Sequence, residues 1–440
     1  MKKLFALVLT CALMLGGFAF FAPSETVRAA DDITLDVIIC QYGSNTQEWF
    51  LGKGMDGTNF KDKFEKANPG IKLNLEVVSW NDVYTVVDTR IASGQAPDIL
   101  NIDVFANYAN EGLLEPVEQY CPEKLYKDFF PSFIEQSVID DTVWAVPDLA
   151  SARALYYNVD MMEEVGIEPP TTWAELEDAA QAIIDFYDGE VYPWGVDMTT
   201  DEGQAAFAYY AWANDGGFVD EDDNWKLNSK ENAEAVKYAL GLVEKGFTNP
   251  NPATQTRYDL QDMFAAGKLA MLIAPNQLPS YVKDKESEIK MDYVAIPANE
   301  DKNSSSVGVM DRIMAFKDEK EKDPEARDKA IGKFLEFFYE PENYVGWVSM
   351  EGFLPAVNSA VESLIEKDPS LEAWLDILEN CKFYPTAKAE WDEVKQGVIA
   401  AEQAGLTDAD AVQEELDKLQ EKIVKLAEEN AKKAEEEKKN

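Results

Sequence analysis

The chain has 440 residues, 46% of them hydrophobic, enough for several domains at roughly 100–200 residues each. Asp and Glu number 83 against 40 Lys and Arg, a net charge of −43, so like-charge repulsion argues against nucleic acid and anionic membrane as partners. No histidine is present, which excludes Ser-His and Cys-His nucleophiles, His-ligated zinc and HExxH proteases but leaves carboxylate-pair chemistry open.

The first residues read as an export signal. Lys2 and Lys3 precede the apolar run Leu4–Phe21, and Val27-Arg28-Ala29 offers a cleavage site after Ala29. The rival is an uncleaved anchor, but the polar stretch Pro23–Arg28 favours cleavage. Cys11 lies too early in the apolar run to carry a lipid at a mature end. No other run approaches the ~20 apolar residues of a spanning helix.

Ile33–Ile39 is β-branched and apolar, a buried strand. A helix over Phe60–Ala67 stops at Asn68-Pro69-Gly70. Ile71–Val78 is a second strand, Asp82–Ser93 a helix closed by Gly94, and Asp98–Ile102 a third strand. Strands alternating with helices imply βαβ units and parallel pairing. From Thr142 the texture changes: Val143–Val146 and Ala154–Tyr157 read as two strands. Thr172 and Glu175 form a capping box for a helix over Trp173–Phe186. Helices follow near 202–214, 229–245 and 257–266. Ala270–Ile273, Tyr293–Ile296 and Val307–Ala315 are extended. The chain is helical after Pro324, with breaks at Pro341 and Gly352–Pro355, and ends in a Glu/Lys-rich helix over 408–438 carrying Leu416, Leu419, Ile423 and Leu426 on one side.

Two local signals stay open. Cys40, Cys121 and Cys381 follow the cleavage site; a Cys121–Cys381 disulfide and buried free thiols both fit. Asp220, Asp222, Asn224, Asn228 and Glu231 have calcium-loop spacing, but Trp225 stands where such a loop needs Gly. The acidic stretch therefore reads as a turn in which Asn228 caps the next helix, and no metal or other cofactor is expected.

Six motifs recur in a fixed order: Ser93–Ile99 (SGQAPDI), Gly112–Pro116 (GLLEP), Asp141–Pro147 (DTVWAVP), Leu155–Asn158 (LYYN) with Gly166 and Pro169–Trp173 (PPTTW), Phe264–Met271 (FAAGKLAM) and Gly352–Ala356 (GFLPA). In these the chain resembles the family-one extracellular solute-binding proteins, which are maltose-binding-protein-like, from about residue 33 to 427. Asp141-Thr142 replaces the family's usual Gly-Lys. The resemblance implies an α/β, two-lobed periplasmic-binding-protein type II fold with a ligand cleft between the lobes. One lobe is expected from 31–146 and 309–352, the other from 147–308 and 353–440. It implies a monomeric, exported binding protein, in the periplasm or on the outer face of the cytoplasmic membrane. That protein takes a carbohydrate, an oligosaccharide by expectation, by hinge closure and delivers it to ABC permease subunits without catalysis. A secreted carbohydrate-active enzyme and a surface adhesin are the rivals.

Sugar recognition needs paired donors and acceptors for hydroxyls and aromatic faces for ring C–H groups. Ligands meet parallel sheets at strand carboxyl ends. That rule, with the family's use of the same loops, selects Tyr42 after the first strand, Trp80 and Asn81 after the second, and Asp103 and Phe105 after the third. In the other half it selects Ser151 and Arg153, Asn276 and Gln277 after the AMLI strand, Asp311 and Arg312 at the second crossing, and Phe353 at the third. Many relatives carry a Trp shortly after the AMLI-like strand, where this chain reads Ala274-Pro275-Asn276-Gln277; either Phe353, Trp212 or Trp347 replaces it, or the ligand is smaller or more polar. Arg153 and Arg312 keep an anionic sugar open. Alanine at Asp103 or Arg312 is expected to weaken ligand binding and leave unliganded melting nearly unchanged.

Overall fold

The computed structural model describes residues 32–437, apart from Ser44, Met55, Asp56, Glu319 and Asn380. The export signal expected over 1–29, Cys11 included, lies outside the described residues.

The first strands are β1 (Ile33–Gln41), β2 (Ile71–Ser79) and β3 (Ile99–Ile102), joined by helices that include Phe60–Ala67 and Val83–Ala92. β1 pairs in parallel with both others. Val37 and Ile39 enter one apolar core and Ile38 and Cys40 another, on opposite faces of the strand. Burial on both faces explains why β1 reads as a continuous apolar run rather than an alternating one.

A hairpin of β4 (Val138–Ile139) and β5 (Thr142–Val143) leads into β6 (Val146–Asn158). The later strands are β7 (Tyr192–Gly195), β8 (Leu269–Pro275), β9 (Met291–Val294), β10 (Val307–Ala315), β11 (Leu354–Pro355) and β12 (Lys382–Phe383). β6 corrects the reading of two short strands at 143–146 and 154–157: from Val146 it is one strand of 13 residues. Its middle, Pro147–Arg153, lacks β-branched residues, so propensity hid it. Pairing compensates. The first half lies antiparallel to β10 and β11, the second to β8 and β9. The sheet order is β2-β1-β3-β10-β6-β8-β7.

β6 and β10 therefore join two bodies. One is built on β1–β3 and their helices. The other has its own core, to which Trp173, Phe207, Val236, Val398 and Leu416 contribute from five helices. The two-lobed α/β architecture expected from the sequence is present. Three tyrosine hydrogen bonds fix the crossings. Tyr339 OH donates to the Pro147 carbonyl at 2.7 Å. Tyr344 OH donates to the Asp148 carbonyl and accepts the Ala356 N–H at 2.8 Å, tying β6 to the segment after β11.

The Thr172–Glu175 capping box forms as expected. The acidic turn forms too, with Asp220 Oδ1 accepting the N–H groups of Asp222 at 3.0 Å and Asn224 at 2.8 Å. Its helix is capped by Ser229 rather than Asn228, because Ser229 Oγ reaches the Asn232 N–H while Asn228 turns to Asp417 at 2.7 Å. Cys40, Cys121 and Cys381 are free thiols. The terminal helix, Ala411–Glu437, buries Leu416, Leu419 and Ile423 against the second core. Among the described residues no helix is long and apolar enough to cross a membrane.

Candidate ligand-binding cleft

A cavity of about 370 Å³ lies where the carboxyl ends of β1, β2 and β3 meet the crossing strands. Tyr42, Trp80, Asn81 and Asp103 line it from the first body. Ser151 and Arg153 reach it from β6, Asp311 and Arg312 from β10, and Phe353 from the third crossing.

Two residues expected here are not brought to the cavity. Phe105 is fully buried and lies under the Arg312 guanidinium, 5.0 Å from ring centre to Cζ. Asn276 turns inward: its Oδ1 accepts the Ala152 N–H at 3.3 Å, and its amide donates to the Gly352 carbonyl at 2.7 Å. It stitches two crossings together, and its neighbour Gln277 lines the cavity instead.

The aromatic wall is organised by Tyr42, whose ring meets Trp80, Trp347 and Phe353 edge-on at 5.6, 5.6 and 5.1 Å. Trp347 is fully buried behind this wall. Trp212 likewise stacks behind Tyr384, at 6.1 Å and 28°. Of the three expected replacements for the missing Trp, only Phe353 faces the cavity. Tyr42 OH donates to Asn101 Oδ1 at 3.1 Å, and the Asn101 amide donates to the buried Asp148 carboxylate at 2.8 Å. Tyr42 is thus anchored from behind, which holds its ring in place for its neighbours.

The polar side is charged and largely buried. Asp103 accepts the Tyr84 hydroxyl at 2.7 Å. Burial, and then the nearby Asp103, push the Asp311 carboxyl up to about 7, against the opposing pull of Tyr42 and Arg312. Arg312 commits all three nitrogens: Nε to Ser137 Oγ at 2.9 Å, Nη1 to the carbonyls of Asp103 and Met310 at 2.6 and 3.1 Å, and Nη2 to Gln136 O and Thr386 Oγ1, both at 3.1 Å. Burial lowers its guanidinium to about 10, although Asp103 and Asp311 favour the charge.

Across the cavity, Arg153 donates to Ser151 Oγ at 2.7 Å and to Glu202 Oε1 at 3.1 Å. Arg257 Nε donates to the other oxygen of the same carboxylate. Burial opposes the Glu202 charge, but Arg257 and Arg153 outweigh it and bring the carboxyl down to about 2. At the far side, the Asn107 amide donates to Asp392 at 3.0 Å. This bond joins the two bodies beside Asp103 and Trp391, which both line the cavity.

Sequence reasoning missed Glu202, Arg257 and the segment Phe383–Trp391. The first two sit at helix starts that face the cleft, and the Thr256–Asp259 capping box was a usable signal for Arg257. Phe383, Tyr384 and Thr386 line the cavity from a stretch between helices, marked only by an aromatic pair before Pro385, and Trp391 lines it from the start of the helix Trp391–Gly405.

A family profile for bacterial extracellular solute-binding proteins matches residues 47–345. A putative binding protein of Brucella abortus is 28% identical over 409 residues, covering 91% of this chain and 95% of that protein. A putative ABC transporter periplasmic-binding protein of Escherichia coli is 25% identical over 315 residues, covering 68% and 69%. Among solved structures, maltose-bound MalE3 of T. maritima superposes with a TM-score of 0.76 at 20% identity, over 90% of this chain and 100% of that one. A solute-binding protein of Thermotoga lettingae bound to α-D-tagatose gives 0.75 at 20%, over 90% and 100%.

Proposed function

Since the chain belongs to the bacterial extracellular solute-binding protein family, we propose that it captures a carbohydrate outside the cytoplasmic membrane and delivers it unaltered to an ABC permease. One lobe comprises 31–146 and 309–352, the other 147–308 and 353–440, and the ligand is held as they close. The observation that carries this reading is the cleft itself. One cavity is lined both by aromatic side chains (Trp80, Phe353, Tyr384) and by charged hydrogen-bonding groups (Asp103, Asp311, Glu202), with residues drawn from both bodies. Faces and acceptors together are what a pyranose, with its apolar ring face and equatorial hydroxyls, requires. The saccharide names of relatives, among them a maltotriose-binding protein of Pyrococcus abyssi and a multiple sugar-binding protein of Streptococcus mutans, support the substrate class.

A thermal-shift screen over mono- and oligosaccharides tests this. At about 100 times its Kd, a ligand that binds only the folded state adds roughly 2.7 kcal/mol, a rise of several degrees. Trp80→Ala is expected to weaken the best hit about tenfold, since an aromatic face contributes roughly 0.5–1.5 kcal/mol beyond its area. A screen in which no saccharide raises the melting point, or in which the glycan is cleaved, overturns the proposal.

A further inference from the structure

We infer that the cleft selects a neutral saccharide over the corresponding uronate, and that Glu202 sets this discrimination. The inference rests on the carbohydrate-binding reading and narrows its substrate class. Uronate recognition asks for an arginine with two parallel N–H groups free to grip a carboxylate. Arg312 cannot supply them, because each of its nitrogens already donates to a protein acceptor. Arg153 is 5% exposed and spends both terminal nitrogens on Ser151 and Glu202. Arg257 lines the cavity too, but its charge is already met by the same Glu202 carboxylate through Nε, and its guanidinium lies over the Tyr258 ring at 4.4 Å.

The other charges point the same way. Asp103 and Asp311 line the cavity with Arg312 as their nearest cation, whose nitrogens all donate to other acceptors, and Asp201 and Asp284 line it too. The cavity-lining acids are Asp103, Asp201, Glu202, Asp284 and Asp311; the bases are Arg153, Arg257, Arg312 and Lys395. The site therefore carries no excess of positive charge, inside a protein of net charge −43 that repels anions on approach. A uronate carboxylate would add a like charge beside Asp311, whose own carboxyl is already crowded by Asp103. Neutral hydroxyls meet no such penalty, since they donate to the carboxylates.

The test compares each saccharide that stabilises the protein with the same sugar oxidised to a carboxylate at C6, by titration calorimetry at pH 7.5. Like charges brought together inside a site are strongly disfavoured, so the uronate is expected to bind at least about 30-fold more weakly than its neutral parent. Glu202→Gln removes the carboxylate that neutralises Arg153 and Arg257, and should narrow that ratio to within about fivefold. Glu202→Asp should keep the wild-type ratio. A wild-type protein that binds the uronate as tightly as the parent overturns the inference, as does a ratio that E202Q leaves unchanged. The wild-type comparison needs no variant, so it decides the selectivity even if E202Q does not fold, and a ratio lost in E202D, which keeps the charge, overturns the assignment to the Glu202 carboxylate. If neither member of any pair binds, the carbohydrate reading itself fails and this inference goes with it. If neutral and acidic sugars bind alike, only the inference fails.

Discussion

Replacing Arg312 with alanine is expected to lower the melting temperature of the unliganded protein by about 5 °C. From sequence alone the residue reads as a ligand contact whose loss spares the fold. The geometry reverses that expectation. The guanidinium holds Ser137, Gln136, Asp103, Met310 and Thr386, so it pins β10 to the end of β3, to the turn before β4 and to the segment after β12. Truncation strands several buried acceptors and leaves Asp311 and Asp103 without their nearest cation. Breaking such a buried charged network costs about 3–5 kcal/mol. Unfolding entropy scales with length, so a chain of this size shifts by about 1.2 °C per kcal/mol, which gives the stated value. Scanning calorimetry without ligand checks it. A melting point within about 1 °C of wild type, the scale of the ~0.5 kcal/mol typical of an inconsequential surface change, would contradict the structural role.

Asp311→Asn should move stability and affinity in opposite directions. The folded carboxyl sits at about 7, above the roughly 3.9 of an unfolded aspartate. Folding therefore favours the protonated form. The stability this group contributes is fully present below pH ~4 and is lost as pH rises through about 7. Near pH 8 the wild type bears a buried charge next to Asp103, and the neutral amide does not. The variant should then be more stable than wild type by about 1–3 kcal/mol at pH 8, an advantage that disappears near pH 4. Its saccharide affinity should fall about 10–100-fold, because a charged acceptor contributes roughly 1.5–3 kcal/mol per hydrogen bond. Wild-type affinity should weaken as pH drops below about 7, while the variant's stays flat. Melting and titration at pH 5 and 8 check both signs. A less stable variant at pH 8, or unchanged affinity, counts against a ligand-facing Asp311.

How much of this was legible in advance depends on the kind of signal. β1 and the helices Phe60–Ala67 and Trp173–Tyr187 follow from apolar pattern and caps, which are local and strong. β6 was not legible as one strand, because its middle owes its conformation to partners 150 to 200 residues away in sequence. At the site, the rule about strand carboxyl ends located Trp80 and Asp103 correctly as cavity-lining positions. It failed for Phe105 and Asn276, since a position after a strand does not say which way its side chain turns. The Glu202–Arg153–Arg257 cluster was beyond reach: it assembles from three separate stretches, and nothing in any one of them announces the other two.

The central claim is that two bodies joined by β6 and β10 close around a sugar and let it go intact. Small-angle scattering on the protein with and without the most stabilising saccharide, with the ligand recovered afterwards for mass spectrometry, tests it most directly. The account predicts a smaller radius of gyration on binding and a recovered sugar of unchanged mass. An unchanged radius at saturation, or a sugar returned in fragments, would contradict it.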